Sequence, residues 1–94
     1  MTPVADNSRP RLAGKARLKW DAVREKHLLL YPEGVLVLNK TAHDVLALCD
    51  GQCPVAEIVK ALATQYAADA NAIAGDVKEI LQRLAEKSFV TLNE

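Results

Sequence analysis

Two cysteines, Cys49 and Cys53, with His43 six positions before the first, are the residues of this 94-residue chain best suited to chemistry. Thiolates and imidazoles ligate zinc, and a thiolate beside an imidazole is an activated nucleophile. The spacing speaks against both. A structural zinc site takes four ligands, usually as two close pairs, and the other histidine, His27, falls in a segment that reads as a strand. On one helix, six steps of 100° put His43 and Cys49 about 240° apart, on opposite sides. Ser8 and Ser88 lie in no nucleophile elbow. The four glycines, at 14, 34, 51 and 75, are too scattered for a phosphate loop. Asp76 and Glu79 share a helical face as ordinary solvated acids do. No catalytic residue, metal site or cofactor is expected. Cys49 reads as a small core residue, and Cys53 as a loop thiol or an imperfect helix cap.

The elements around these residues follow from periodicity. Residues 1–14 hold two prolines, Asn7, Ser8 and Gly14, and read as a mobile N-terminal arm, with a single domain over 15–94. Leu18 and Trp20 alternate with charges, which predicts a first strand over Arg17–Asp21. His27–Tyr31 and Val35–Leu38 predict a second and third strand, joined by a hairpin turn at Pro32-Glu33-Gly34. The rest is helical. Thr41 with Asp44 resembles a capping box, and Ala42, Val45, Leu46 and Cys49 form one stripe, which Gly51 would end. Pro54 suits the first turn of a second helix with Val55, Ile58, Val59, Leu62 and Tyr66 buried. Asp69 or Asn71 can cap a third helix whose stripe is Ile73, Val77, Ile80, Leu81 and Leu84. Phe89–Leu92 reads as a short strand or an extended tail. The order β-β-β-α-α-α gives an α+β fold: a small three-stranded antiparallel sheet plus a three-helix bundle, winged helix-turn-helix-like.

Half the residues are hydrophobic and few are aromatic, so the core is built of Leu, Val, Ile and Ala. The chain is neutral in sum, yet residues 1–40 carry a net +4 and residues 41–94 a net −4. The asymmetry suits a charged partner as well as a merely solvated surface. A winged-helix DNA-binding regulator is the competing reading. Its reading helix needs Arg, Lys, Asn or Gln for bases and further cations for phosphates. The second helix offers only Lys60 and Gln65. The third sets Lys78, Gln82, Arg83 and Lys87 against Asp76, Glu79 and Glu86. No nucleic acid partner is therefore expected. No stretch approaches the ~20 apolar residues of a membrane helix, and the N-terminus lacks the apolar run of a signal peptide. The expectation is a cytoplasmic protein with free thiols and no membrane partner.

A binding module remains, and the stretch YPEGVLVLN points to where it binds. In a meander Val35–Leu38 is an edge strand, apolar on both faces and free of the lysine, proline or bulge that usually blunts an edge. An extended peptide added to such an edge gains main-chain hydrogen bonds, and alternate side chains enter pockets. The third helix can wall the groove with Ile80, Leu81 and Leu84. A proline at Leu36 is expected to remove an edge N–H. Coverage of the edge by the arm, or by a second subunit in a homodimer that also buries the excess leucines, is the plainer alternative.

Tyr31-Pro32-Glu33-Gly34, Leu38-Asn39, Cys49-Asp50-Gly51, Glu57-Ile58-Val59, Leu62, Tyr66, Asp76-Val77, Leu81 and Leu84, with Arg17-Leu18-Lys19-Trp20-Asp21 upstream, together resemble the PqqD family of pyrroloquinoline quinone (PQQ) biosynthesis. The resemblance implies a non-catalytic peptide chaperone. Such a protein binds the precursor peptide PqqA as a strand beside the third strand and presents it to the radical SAM enzyme PqqE. It implies a platform of Val35, Leu36, Val37, Leu38 and Asn39 and a cleft wall of Asp76, Val77, Ile80, Leu81 and Leu84. Two positions depart from the family pattern. Cys53-Pro54 stands where a hydroxyl residue often precedes the second helix, and Ser88 stands where a glycine is common.

Overall fold

The computed structural model describes residues 4–93. Eight elements follow one another: β1 (Arg9–Leu12), β2 (Arg17–Asp21), β3 (Lys26–Tyr31), β4 (Gly34–Leu38), α1 (Lys40–Ala47), α2 (Val55–Tyr66), α3 (Ala70–Glu86) and β5 (Val90–Asn93). Strands β2, β3 and β4 form an antiparallel meander in that order. This is the expected α+β arrangement of a three-stranded sheet with three helices.

Each hairpin has a local cause. Between β2 and β3 the Asp21 carboxylate accepts from the Val23 and Arg24 amides, an Asx-type turn, and Glu25 takes a left-handed φ of 55°. Between β3 and β4 only Pro32 and Glu33 lie outside the ladder, and Tyr31 pairs directly with Gly34. Alternation then sorts the side chains. Leu29, Leu36 and Leu38 face the helices, and Leu29 and Leu38 are buried in the core. Leu28, Leu30, Val35 and Val37 face the other way.

The core is closed by Val45 and Leu46 of α1, by Val55, Ile58, Val59 and Leu62 of α2, and by Ile73, Val77, Leu81 and Leu84 of α3. Cys49 lies among them, its thiol donating to the Val45 carbonyl at 3.2 Å. Burial, then the nearby Cys53 and Asp50, pushes that thiol up to about 12, so it stays protonated as an ordinary core side chain.

Three expectations about the ends of elements change. First, the supposed arm contains a strand. Residues 1–3 lie outside the described residues, but Arg9–Leu12 pairs with Val90–Asn93 in a second, two-stranded sheet. The opposite edge of β1 is bonded as well: Leu12 N–H donates to the Cys49 carbonyl at 3.3 Å, and Gly51 N–H donates to the Pro10 carbonyl at 3.0 Å. Composition missed this because its partners lie about 40 and 80 residues away in sequence. Second, α1 starts at Asn39, not at a Thr41 capping box. The Asn39 Oδ1 accepts from the Ala42 amide at 2.8 Å. Third, α1 ends at Ala47, well before Gly51, because residues 49–51 turn away to bond β1.

The two departures from the family pattern also find local accounts. Pro54 caps α2 without a side-chain hydrogen bond. The first-turn amides of Val55 and Ala56 donate instead to the Ser8 and Asp6 carbonyls, at 2.8 and 3.0 Å. The N-terminal segment thus does the work of the missing hydroxyl. Ser88 ends α3 at a left-handed φ of 64°, and the next amide, Phe89, reaches back to the Leu84 carbonyl at 2.9 Å, the Schellman pattern.

Candidate functional site

Strand β4 is an edge: among the described residues its only ladder partner is β3. Which of its groups are free follows from the register. Tyr31 and Gly34 close a two-residue hairpin and exchange both hydrogen bonds. Bonded and non-bonded pairs alternate from there, so Leu36 and Leu38 spend their main-chain groups on Leu29 and His27. Val35 and Val37 direct theirs outward. The vacant edge therefore offers the N–H and C=O of Val35 and Val37. A proline at Leu36 would break the hairpin's own ladder instead, which corrects the expectation that this residue supplies the free N–H.

Beside that edge lies a cleft of about 220 Å³ between β4 and α3. Leu36, Leu38, Ala42, Ile80 and Leu84 give it an apolar lining, and Arg83 and Lys87 stand at it as cations. A second recess of about 270 Å³ adjoins it through Asn39, Ile80 and Arg83, and adds Thr41, Asp76 and Glu79. The recess thus continues the cleft past the end of β4, between the start of α1 and α3. An extended chain over the five residues of β4 spans about 17 Å.

The sequence-predicted residues divide across this site. Val35, Leu36, Val37 and Leu38 lie in the edge strand, and Asn39, one residue past it, caps α1. Ile80 and Leu84 line the cleft, and Asp76 lines the adjoining recess. Val77 and Leu81 do not reach it: both are fully buried in the core. Ala42, Arg83 and Lys87 were not anticipated. The helical period could have found Arg83 and Lys87, since they follow Ile80 by three and seven residues.

Near the far end of β4 the two histidines meet. His27 of β3 stacks on His43 of α1 with ring centroids 3.7 Å apart, and His43 Nδ1 lies 3.1 Å from Asp44. Among the described residues no group of three or more His, Cys, Asp or Glu is placed to hold a metal. Asp44 instead pins α1 to α2, accepting from the Tyr66 hydroxyl and from Lys40 Nζ at 3.3 Å. Burial opposes ionisation of Asp44, but the hydrogen bonds from Tyr66, His43 and Lys40 outweigh it and hold the carboxyl below its ordinary range. Tyr66 is pushed up to about 12 by burial and by that carboxylate. The Asp44 carboxylate thus gathers Tyr66, His43 and Lys40, and His27 joins them only by stacking.

Among the described residues no helix is long and apolar enough to cross a membrane. Comparison with known proteins gives a consistent set of relatives. The family model for coenzyme PQQ synthesis protein D (PqqD) matches residues 26–90. A "PqqA binding protein" of Rhodopseudomonas palustris is 47% identical over 88 residues, which cover 94% of this chain and 86% of that protein. The solution NMR structure of the PqqD truncation of Methylobacterium extorquens PqqCD superposes with a TM-score of 0.81 at 38% identity, covering 97% of this chain and 99% of that one. It is described as a functional, stand-alone recognition element for ribosomally synthesized and post-translationally modified peptides. TbiB1, solved in complex with the TbiA(beta) leader peptide, shares the fold at a TM-score of 0.72 and 20% identity, over 85% of this chain and 93% of that one.

Proposed function

The chain belongs to the PqqD family, and on that premise we propose that it is a non-catalytic peptide chaperone of PQQ biosynthesis. It binds the precursor peptide PqqA as an added strand on β4 and presents it to the radical SAM enzyme PqqE in the cytoplasm. The relatives' name, PqqA binding protein, supports the identity of the guest. The observation that carries the mode is the vacant main chain of Val35 and Val37 beside an apolar cleft. Added strands gain affinity from main-chain bonds and selectivity from the side chains that alternate into such a cleft. Guest residues opposite Leu36 and Leu38 enter the cleft, and those opposite Val35 and Val37 emerge on the sheet's other face. The DNA-binding alternative lacks its cationic helix face, since Lys78 pairs with Asp6 at 2.7 Å and Arg83 with Glu79 at 2.7 Å.

Val37→Pro removes one outward N–H and leaves the β3–β4 ladder intact. One net hydrogen bond is worth about 0.5–1.5 kcal/mol, so PqqA affinity by calorimetry should fall about two- to tenfold or more. A variant that keeps its circular dichroism and binds PqqA like the parent would rule out strand addition at β4. A steeply salt-dependent, tight affinity for some DNA duplex would favour the regulator instead.

A further inference from the structure

Among the described residues no helix packs on the outer face of the three-stranded sheet, whose Leu28, Leu30, Val35 and Val37 lie outside the core cluster. Its centre is apolar: Leu28 and Leu30 of β3 lie beside Val35 and Val37 of β4. The two valines are 55% and 52% exposed, whereas Leu28, on the middle strand, is 8% exposed. An exposed face of an antiparallel sheet ordinarily carries polar residues at these positions. Around this centre the register places Arg17 and Lys19 of β2 and Lys26 of β3 on the same face. All three are exposed, and among the described residues none of them is in an ion pair. The one acid on the face, Asp21, turns its carboxylate back to the Val23 and Arg24 amides and to Arg24 Nε.

We propose that this face docks an acidic, apolar-centred patch on the enzyme that receives the peptide, and that the bound guest strand completes the docking surface. The inference rests on the strand-addition reading above. Charge selects the occupant. A second copy docked by two-fold symmetry would bring together two faces that each carry Arg17, Lys19 and Lys26 against the one acid Asp21, so like net charges would meet. An acidic patch is complementary. Geometry supplies the second half. A guest on β4 continues the sheet, so its side chains opposite Val35 and Val37 stand on this same face. The enzyme then reads sheet and guest as one surface, and peptide and enzyme each raise the affinity for the other by the same factor.

The test uses full-length protein, PqqA and purified PqqE as the probe enzyme. Lys19→Glu with Lys26→Glu should weaken PqqE binding by about tenfold or more at low salt and leave PqqA affinity within about twofold of the parent. Lys60→Glu on α2 is the control and should change neither. Wild-type affinity for PqqE should rise when PqqA is bound and fall with added salt. A charge-reversed variant that binds PqqA and still binds PqqE like the parent overturns the proposal. So does wild-type binding to phosphatidylserine vesicles that the reversal abolishes while PqqE binding is untouched. Failure of the wild type itself to take up PqqA at β4 is a separate result: it overturns the peptide reading and the composite surface with it.

Discussion

Asp44 and Tyr66 show how a single contact joins two elements. Tyr66 ends α2, Asp44 sits in α1, and Lys40 both pairs with Asp44 and stands 5.2 Å from the Tyr66 ring centroid. Tyr66→Phe removes the hydroxyl donor from a carboxylate that is largely shielded from solvent. It should lower stability by about 1–2 kcal/mol near pH 7, measured by urea unfolding. The pH dependence follows from the direction of the Asp44 shift. A folded carboxyl held below its ordinary value contributes stability that is present above about pH 4 and is lost as pH falls through the folded value. The gap between parent and variant should therefore shrink on acidification; a gap constant from pH 7 to pH 3 contradicts the contact. Ser88 makes a second point. Its left-handed backbone costs a residue with a Cβ about 1 kcal/mol, partly offset in Gly by the entropy of the unfolded chain. Ser88→Gly should raise stability by about 0.5–1 kcal/mol, and a loss of stability would show that the serine is favoured there for another reason. Residue types were legible where the cause is local. Asp69 was readable as a cap and does accept from the Asn71 amide at 3.2 Å, and Cys49 was readable as core. The Asp44 pin was not, because Tyr66 lies 22 residues away and Asp44 fitted a capping pattern that Asn39 in fact satisfies.

Among the elements, the β3–β4 hairpin was the most legible, since Pro32 and Glu33 set the turn and the flanking apolar runs set the strands. What the sequence did not show was which groups of β4 are free, because that depends on the parity of the ladder. Parity yields a paired prediction. Leu36→Pro should destabilise the fold, by about 3 kcal/mol or more on thermal unfolding, because it breaks a bond to Leu29. Val37→Pro should unfold nearly as the parent does and lose affinity for PqqA. Equal destabilisation by the two would mean that the ladder is out of phase with this reading. On the α3 side, Ile80→Ala trims a half-buried side chain of the cleft and should weaken PqqA binding with little loss of stability. Leu81→Ala, one residue on, empties a fully buried core position and should cost about 2–5 kcal/mol of stability. The sequence placed both in one helical stripe. Only the packed structure separates the residue that lines the groove from the one that closes the core.

At the scale of the whole molecule, the chain is tied shut by its N-terminal segment. Strand β1 pairs with β5, bonds residues 49–51, and is preceded by the carbonyls that cap α2. Removing residues 1–12 should therefore lower the thermal midpoint by many degrees, whereas loss of a free arm would leave it unchanged. This role was illegible in the composition of residues 1–14 because much of it consists of long-range main-chain bonds, which do not depend on side-chain type; even Pro10 accepts one through its carbonyl. Of the two strands that edge the three-stranded sheet, β2 and β4, it is β4 that lines the apolar cleft against α3. The most direct test is titration of isotope-labelled protein with PqqA, followed by backbone amide NMR. The expected result is large shifts and slowed hydrogen exchange at the Val35 and Val37 amides, with shifts at Leu36, Ile80, Arg83 and Leu84. Saturable binding that leaves the Val35 and Val37 amides unmoved and unprotected would contradict strand addition at β4.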